Sequence, residues 1–281
     1  MSTTIAVIKW NSGNLLRACV DSLLATTRNA EIVVIDNAST DESVEFAEDL
    51  RNRVDFIRNS VNRGFAGAIN QAFQTGTSSY VLVLNPDVTA LPGSVQMLED
   101  FMDRHPRAGA VGAYVGDKYL PRQFPSAGTL VLENLGLGRA AHSAPSRQPE
   151  AISVDQPAAA ALMIRRDAYE EVEGFDERFF PAWYEDVDFC RRIKAKGWEI
   201  FFMSAAEFPH AGGYSAAALG SERFVRAYYQ NQLRYAHKHF GPIGSFATRL
   251  SIAAGMIGRM LGRPRHAAAY GRALLGALKG W

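Results

Sequence analysis

The chain of 281 residues has little cysteine and no long hydrophobic run, and both absences limit what it can be. Cys19 and Cys190 are far apart and lack the spacing of a structural metal site or a disulfide framework. We therefore expect two buried, reduced thiols in a cytoplasmic protein. No run of about 18 apolar residues is present, which predicts no membrane-spanning helix. The apolar segment Thr4–Ile8 is too short for a secretory signal, so none is expected.

Two further absences concern glycine and acidic residues. No Gly-x-Gly-x-x-Gly motif follows the first predicted strand, which argues against a dinucleotide-binding dehydrogenase. After Glu222 the sequence has ten Lys or Arg residues and no Asp or Glu. The net charge is therefore −9 up to Glu222 and +10 beyond it. Such a basic segment predicts an anionic partner surface, which we expect to be a membrane and not nucleic acid.

The first part of the chain alternates between predicted strands and helices. The strands are predicted at Thr4–Lys9, Glu31–Asp36, Val54–Ile57, Tyr80–Asn85 and Gly109–Tyr114. The helices are predicted at Leu15–Ala25, Asp41–Arg51, Phe65–Thr75 and Pro92–His105. Repeated β-α-β units of this kind predict an α/β fold, with a parallel sheet covered by helices on both faces.

The second part begins with residues 115–157, whose Gly, Pro and Ser content predicts a long surface loop or lid. Later elements are predicted at Ala158–Arg165, Arg166–Val172, Glu185–Lys196, Glu199–Met203, Ser221–Phe240, Phe246–Leu261 and Arg265–Leu278. We expect a catalytic domain of residues 1–240, with a nucleotide-binding half (1–114) and an acceptor half (115–240). A basic helical tail (241–281) would follow.

Polar residues follow the first two strands, where ligands bind in an open parallel sheet. Lys9 and Asn11 lie at the end of the first strand, and Asp36, Asn37 and Ser39 at the end of the second. An Asp here can accept a hydrogen bond from the imide N–H of a pyrimidine base. A turn that caps the next helix explains the second group equally well.

Small residues surround the start of the helix predicted at Phe65. Asn62, Gly64, Phe65 and Asn70 belong to this segment, where backbone can approach an anionic ligand near the positive end of a helix. A tight loop that needs Gly64 for its dihedral angles explains the same pattern.

Asp87 and His210 are candidate metal ligands. Asp87 follows a strongly apolar strand, and Mg²⁺ or Mn²⁺ takes few protein oxygens when a diphosphate and water complete its shell. His210 precedes an alanine and a glycine pair, and neutral imidazole suits Mn²⁺. A turn and a structural histidine are the alternatives.

Three carboxylates lie within four residues at the start of a predicted helix. Glu185, Asp186 and Asp188 are stabilised there by the helix dipole, which keeps them ionised. An ionised carboxylate facing a pocket can act as a general base. An ordinary helix start contains the same residues, but Trp183 and Tyr184 just before them are typical of sugar-binding surfaces.

In this order, the motifs resemble glycosyltransferase family 2, in particular its bacterial rhamnosyltransferase-like branch. The resemblance covers roughly residues 1–240. The segments that carry it are Ile35–Asp41, Asn62–Ala66, Leu84–Asp87, Gly174–Phe180 and Tyr184–Cys190.

The resemblance implies a GT-A fold and an inverting transfer from a nucleoside-diphosphate sugar, dTDP- or UDP-linked, to a lipid-linked or polysaccharide acceptor. It implies that Asp36 binds the base and that Asp87 and His210 hold Mg²⁺ or Mn²⁺. Asp186 would be the catalytic base, with Trp183, Tyr184 and Glu185 on the acceptor side. Asn11 and Asn62 would line the nucleotide site.

Two segments depart from the family pattern. Asn85-Pro86-Asp87 stands where the family has Asp-x-Asp, and Gln156–Ala160 stands where this branch has Trp and a Gly-Ala pair. The donor sugar therefore stays open. A catalytically silent sugar-nucleotide or glycan-binding protein is the alternative, whereas a nucleotidyltransferase would need a basic glycine-rich loop after the first strand.

The tail contains an amphipathic pattern. Phe246, Leu250, Ala253, Ile257 and Leu261 share one predicted helix face, and arginines lie elsewhere. Such a helix suits an anionic membrane surface, which would be the inner face of the cell membrane. Packing on the catalytic domain or in a homodimer interface explains the pattern nearly as well.

Overall fold

The structure is a computed structural model that describes residues 2–27, 30–43, 53–138, 150–210, 221–262 and 267–279. Within these residues one mixed sheet has the strand order β3-β2-β1-β4-β7-β5-β8-β6. Its strands are β1 (Thr3–Lys9), β2 (Glu31–Asp36), β3 (Asp55–Arg58), β4 (Tyr80–Leu84), β5 (Ala108–Tyr114), β6 (Ile152–Ser153), β7 (Ala161–Arg165) and β8 (Glu199–Glu207).

Helices cover both faces of this sheet. Those with described bounds are α1 (Leu15–Thr26), α2 (Gly64–Gln74), α3 (Ser94–Arg104), α4 (Ala127–Asn134), α5 (Arg166–Glu171), α6 (Glu185–Ala195), α7 (Ser221–Gly262) and α8 (Ala267–Lys279). Alternate residues of a strand point to opposite faces. Accordingly, Ile5 of β1 packs in one core cluster with α1 and α3, and Ala6 packs in the other with α2 and α6.

The repeated β-α-β pattern predicts a parallel sheet, but the observed sheet is mixed. β1 to β4 form a parallel block, but β7 lies between β4 and β5 and runs antiparallel to both. An apolar strand carries no signal of its direction, which the connection before it decides. Here that connection is the long segment after β5, in place of a helical crossover.

The segment 115–157, predicted as a loop, contains regular structure. Helix α4 begins with a capping box formed by Ser126 and Thr129, and β6 pairs antiparallel with β8. These elements are short, and in α4 only Leu130 and Asn134 are buried, so no apolar periodicity marks the helix. Residues 139–149 lie outside the described part, as does most of the helix predicted at Asp41–Arg51.

The predicted pair of helices at 221–240 and 246–261 corresponds to two helical segments of α7 that meet at a kink. The dihedral angles of α7 leave the helical region only at Gly241 (φ 66°, ψ −173°). Pro242 then starts a second helical segment, where its missing N–H is tolerated. Ala253, predicted on the outer apolar face, is instead buried.

Helix α8 packs against the second segment of α7 in a separate cluster that includes Ile252, Met256 and Tyr270. None of the described helices combines the length and apolarity needed to cross a bilayer. The predicted domain boundary after residue 240 stays a prediction, and it falls next to the break at Gly241.

Candidate functional site

A buried ion pair joins the ends of β1 and β2. Lys9 and Asp36 are both fully buried, with Nζ of Lys9 3.2 Å from Oδ1 of Asp36 and 3.1 Å from Oγ of Ser39. Burial lowers the pKa of Lys9, and the charge of Asp36 opposes this shift. Oδ1 of Asp36 also accepts from the Ser39 N–H at 3.0 Å, whereas Oδ2 has no hydrogen bond to a described residue and lies 3.8 Å from Nε of Arg58. One oxygen therefore holds the turn, and the other can accept from a ligand.

Asn11 shapes the loop that follows Asp36. Its backbone N–H donates to Oγ of Ser39 at 2.9 Å, and its side-chain oxygen accepts from the N–H of Thr40 at 2.8 Å. Asn11 has a left-handed backbone (φ 46°), which Asn tolerates better than most residues. The contacts of Asn11 and Ser39 within the protein are therefore those of a turn, which was the alternative to ligand binding.

The amide of Asn37 connects this edge to the start of α2. It donates to the side-chain oxygen of Asn62 and to the carbonyl of Gly64, both at 3.0 Å, and accepts from the N–H of Arg63 at 2.9 Å. Gly64 has φ 75°, and a Cβ there would lie 2.9 Å from the ring of Phe180. Gly64 is therefore required both by its backbone angles and by this close approach.

Asn70 lies one and a half turns into α2, and its amide is fully engaged within the protein. It donates to the Phe175 carbonyl and to Glu177, and accepts from the Phe175 N–H and the Tyr169 hydroxyl. In this arrangement both the nitrogen and the oxygen of the Asn70 amide are occupied by protein contacts. Its predicted contact with the donor nucleotide stays a prediction.

A cleft with an empty volume of about 540 Å³, open to solvent, lies at the carboxyl edge of β1. Residues predicted for the site that line it are Lys9, Asn37, Asn62, Phe65 and Trp183. The cleft is also lined by residues outside that prediction: Trp10, Asn85, Pro86, Pro181 and Ala182. Trp10, Pro86 and Ala182 adjoin predicted residues in sequence, and Asn85 lies two positions before Asp87. A tertiary contact holds the loop of Pro181 and Ala182 at the start of α2, since the N–H of Phe65 donates to the Pro181 carbonyl at 2.7 Å.

Asp87 and His210 come together although 123 positions separate them, because Val88 and His210 form an isolated β-bridge. Nε2 of His210 lies 2.8 Å from Oδ1 of Asp87, and both side chains are 5% exposed. This contact lacks the geometry of a hydrogen bond, and neither ring nitrogen of His210 is hydrogen-bonded to a described residue. A buried carboxylate and a buried imidazole that face each other in this way fit a divalent cation. The described residues contain no group of three candidate ligands, so a diphosphate and water would complete the shell.

Asp186 lies in the first turn of α6, and two donors hold its carboxyl group. Oδ1 accepts from the N–H of Val187 at 2.8 Å, and Oδ2 accepts from Nε2 of Gln156 at 3.3 Å. Burial raises the pKa of Asp186, and these hydrogen bonds and the charge of Arg122 oppose the rise. A carboxylate with a raised pKa is a stronger base, which suits removal of a proton from a hydroxyl group.

Gln156 gives this carboxylate a testable pH dependence. The ionised fraction of Asp186 falls as the pH falls, and the Gln156 hydrogen bond favours the ionised form. In Gln156→Ala we expect the acid limb of the kcat–pH profile to move to higher pH. This change lowers kcat about three- to tenfold on that limb and leaves the alkaline plateau near the wild-type value. Exposed Gln123, replaced by Ala, is the control; an equal loss of kcat at every pH would contradict the assignment.

The residues before Asp186 divide between the cleft and the interior. Trp183 lines the cleft, and its ring packs on Phe224 with centroids 4.7 Å apart. Tyr184 is buried, and its hydroxyl accepts from Nε2 of Gln232 at 3.0 Å. Trp183 and Tyr184 both have left-handed backbones (φ 75° and 74°), which cost energy in non-glycine residues. The surrounding contacts therefore hold this turn in place.

Glu185 is buried, and its Oε2 has no hydrogen-bond partner in the part of the chain that the structure describes. Burial and the adjacent charge of Asp186 raise the pKa of Glu185 well above its usual range, which favours a protonated carboxyl group. The predicted acceptor contacts of Trp183, Tyr184 and Glu185 stay predictions; only Trp183 lines the cleft.

Helix α7 fastens the loop that lines the cleft. Nδ2 of Asn231 donates to the carbonyls of Phe180 and Ala182 at 3.2 and 2.8 Å. Asn231 is fully buried, so it holds the loop from inside the protein.

Asp188 pairs with Arg192 of its own helix and connects α6 to Lys238 and His239 of α7. This fully buried carboxylate lies 2.7 Å from Nε of Arg192, 2.8 Å from Nζ of Lys238 and 2.8 Å from Nε2 of His239. Burial opposes ionisation, but the His239 hydrogen bond and the charges of Arg192 and Lys238 outweigh it and lower the pKa of Asp188. The carboxylate thus anchors α7, a role that its place in a helix start does not predict.

Solved structures share this architecture. GalNAc-T7 with UDP, GalNAc and Mn²⁺ superposes with a TM-score of 0.64 at 15% identity, covering 94% of this chain and 58% of that one. The mannosyltransferase PcManGT from Pyrobaculum calidifontis, in complex with GDP-Man and Mn²⁺, gives a TM-score of 0.62 at 15% identity, covering 98% and 86%. The fold is therefore the GT-A glycosyltransferase fold, and this prediction is confirmed.

Sequence comparison gives the family. The model of glycosyl transferase family 2 matches residues 4–172, and that of the N-terminal domain of galactosyltransferase matches residues 152–214. The chain is 28% identical over 261 residues to N-acetylglucosaminyl-diphospho-decaprenol L-rhamnosyltransferase of Mycobacterium tuberculosis, covering 84% of this chain and 85% of that protein. This chain belongs to glycosyl transferase family 2, and the predicted rhamnosyltransferase-like resemblance is confirmed.

Proposed function

We propose that this glycosyltransferase moves a deoxyhexose, such as rhamnose, from a nucleoside-diphosphate sugar to a lipid-linked acceptor in cell-surface glycan synthesis, with inversion. The observation that carries the proposal is the extent of similarity to the mycobacterial rhamnosyltransferase, which spans 84% of this chain. A match of this length extends beyond the first 114 residues, which form the proposed nucleotide-binding half. It therefore supports a common acceptor class as well as a common donor class.

The proposed donor site lies at the carboxyl edge of β1 and β2. Ion pairs with Lys9 and Arg58 position the carboxylate of Asp36, and its Oδ2 makes no hydrogen bond with the described residues, so this oxygen can accept the imide N–H of thymine or uracil. The cleft lined by Asn37, Asn62 and Phe65 would hold the rest of the nucleotide. These features support a dTDP- or UDP-linked donor.

In the proposed reaction, Asp186 takes the proton from the acceptor hydroxyl as its oxygen attacks the anomeric carbon. The bond to the diphosphate breaks on the opposite face of the sugar, which inverts the configuration and requires no covalent intermediate. Asp87 and His210 would hold Mg²⁺ or Mn²⁺, which would neutralise charge on the leaving diphosphate.

The proposed location is the cytoplasmic face of the cell membrane. Cys19 and Cys190 are both free and buried. Unpaired thiols are typical of proteins in a reducing compartment such as the cytoplasm. Burial raises the pKa of Cys19 to about 12, so this thiol stays protonated and unreactive.

The direct test mixes the purified protein with dTDP-rhamnose or UDP-sugars, Mn²⁺ and an N-acetylglucosaminyl-diphospho-lipid. We expect a glycosylated lipid from one donor, together with a rise in melting temperature caused by that donor. Donor binding without product on any lipid-linked acceptor would favour the silent binding protein instead. Product from a free sugar but not from the lipid-linked one would overturn the acceptor class.

The metal assignment predicts that Asp87→Ala lowers activity by about 100-fold or more, because half of the protein ligand set is lost. The stabilisation by Mn²⁺ added together with a nucleoside diphosphate should also largely disappear in a thermal-shift assay. Asp100→Asn, at an exposed carboxylate of α3, is the control. A variant of Asp87 with an unchanged Mn²⁺ response would reject the site.

A further inference from the structure

We propose that an apolar stripe on α7 docks this enzyme onto an anionic lipid bilayer. The stripe consists of Ile243, Phe246, Leu250, Ile257 and Leu261. This inference deepens the proposed function and rests on it in one respect: a docked enzyme would meet a lipid-linked acceptor in the same plane.

The stripe is a single exposed face of one helix. Its members follow one another at intervals of three, four, seven and four positions, the spacing that aligns side chains along an α-helix. Their exposed fractions are high, from 51% at Ile257 to 87% at Ile243. Large aliphatic and aromatic side chains in such a continuous row are typical of an interaction surface.

The remaining faces of this part of α7 are already occupied. Ile252 and Met256 pack against Tyr270 of α8. On another side, Asn134 of α4 donates to Oγ of Ser251 at 3.0 Å, and its carbonyl would lie 2.1 Å from a Cβ at Gly255. The second segment of α7 thus packs against α8 and α4, in agreement with the alternative that the tail packs on the protein. The stripe stays exposed.

Exposed apolar residues are concentrated on this part of the molecule. Among the described residues, thirteen large apolar side chains are exposed, and ten of them belong to α4 with its following turn, to α7 or to α8. Those outside the stripe are Leu132, Leu135, Leu137, Leu275 and Leu278. This concentration of exposed apolar side chains, on three helices that pack together, favours an apolar partner.

Charge selects the partner. Beyond Gly241 the sequence contains six Lys or Arg residues and no acid: Arg249, Arg259, Arg263, Arg265, Arg272 and Lys279. Of these, Arg272 pairs with Glu222 and Arg259 donates to the Asn134 carbonyl. A symmetric dimer would bring the same patch from two subunits together, and like charges would then repel. An anionic bilayer offers hydrocarbon for the stripe and negative headgroups for the cations, so it satisfies both features.

The test measures binding of the full chain to phosphatidylglycerol-containing vesicles and to pure phosphatidylcholine vesicles by co-flotation. We expect binding to the anionic vesicles that weakens as salt is added. The double variant Ile257→Ser plus Leu261→Ser should bind about 100-fold more weakly, because each lost aliphatic side chain costs about tenfold. Val61→Ser plus Leu91→Ser, which removes two exposed apolar side chains elsewhere, should bind like wild type.

The fold and the donor site are checked separately from docking. Melting temperature and stabilisation by the nucleotide sugar should be the same in the stripe variant and in wild type, so a failure of the proposed function would be seen without vesicles. Equal vesicle binding by the stripe variant and wild type would overturn the proposal. A wild-type dimer that the stripe variant converts to monomers, with no vesicle binding by either, would overturn it in favour of a second copy.

Discussion

Replacing Asp186 with Asn should lower kcat by about 1,000-fold or more while the donor still binds. The carboxylate is the proposed acceptor of the hydroxyl proton, and general-base catalysis contributes on this scale. Asn keeps the shape of the side chain and can still meet the Val187 N–H through its oxygen, but it cannot take up a proton. The measurements are kcat with the lipid-linked acceptor and the affinity for the nucleotide sugar by calorimetry.

Asp167→Asn provides the matched control, because Asp167 also lies in the first turn of a helix and is exposed. It should retain wild-type kcat and melting temperature. A rate near wild type in Asp186→Asn would remove Asp186 from the mechanism. Loss of donor affinity in parallel with kcat would instead assign it to binding.

Replacing Asp188 with Asn should destabilise the fold by about 3–5 kcal/mol, the scale for breaking a buried ion pair. The substitution leaves Arg192, Lys238 and His239 without their shared buried carboxylate. Urea unfolding measures the free energy. The control is Asp21→Asn, since the Asp21–Arg53 pair is about half exposed on both sides and should contribute less than about 1 kcal/mol.

The same substitution predicts a dependence on pH. The pKa of Asp188 is lower in the folded protein than its usual value, so its stabilising effect is present above that usual value and is lost as pH falls through the folded pKa. The difference in stability between wild type and Asp188→Asn should therefore be full near neutral pH and shrink below about pH 3.9. A difference that stays constant into strong acid would contradict the ionised, cation-bound carboxylate.

Several candidate site residues could be selected from the sequence because they occupy positions with a local signal, and their roles stay predictions. Asp36 and Asp87 follow apolar strands, and Asp186 begins a helix. These positions define the edge of an α/β sheet where ligands bind. The alternation of strands and helices likewise predicted the core of the fold.

Contacts between distant residues could not be predicted in this way. Gln156 donates to Asp186 and also forms an isolated β-bridge with Arg122. Both residues of that bridge belong to a segment without a periodic pattern, so the sequence does not indicate either contact. The anchoring of Asp188 requires α7 to pack on α6, and nothing in the local sequence specifies that contact. The antiparallel direction of β7 has the same origin, since it depends on the path of the chain and not on the residues of the strand.

Helix α7 has one more consequence, which concerns the joint between its two segments. Asn231 of the first segment fastens the cleft loop, and the stripe begins at Ile243 in the second segment, beyond the joint at Gly241. With the stripe in the bilayer, the second segment would lie along the membrane surface. The backbone angles at Gly241 would then set the orientation of the cleft relative to the lipid.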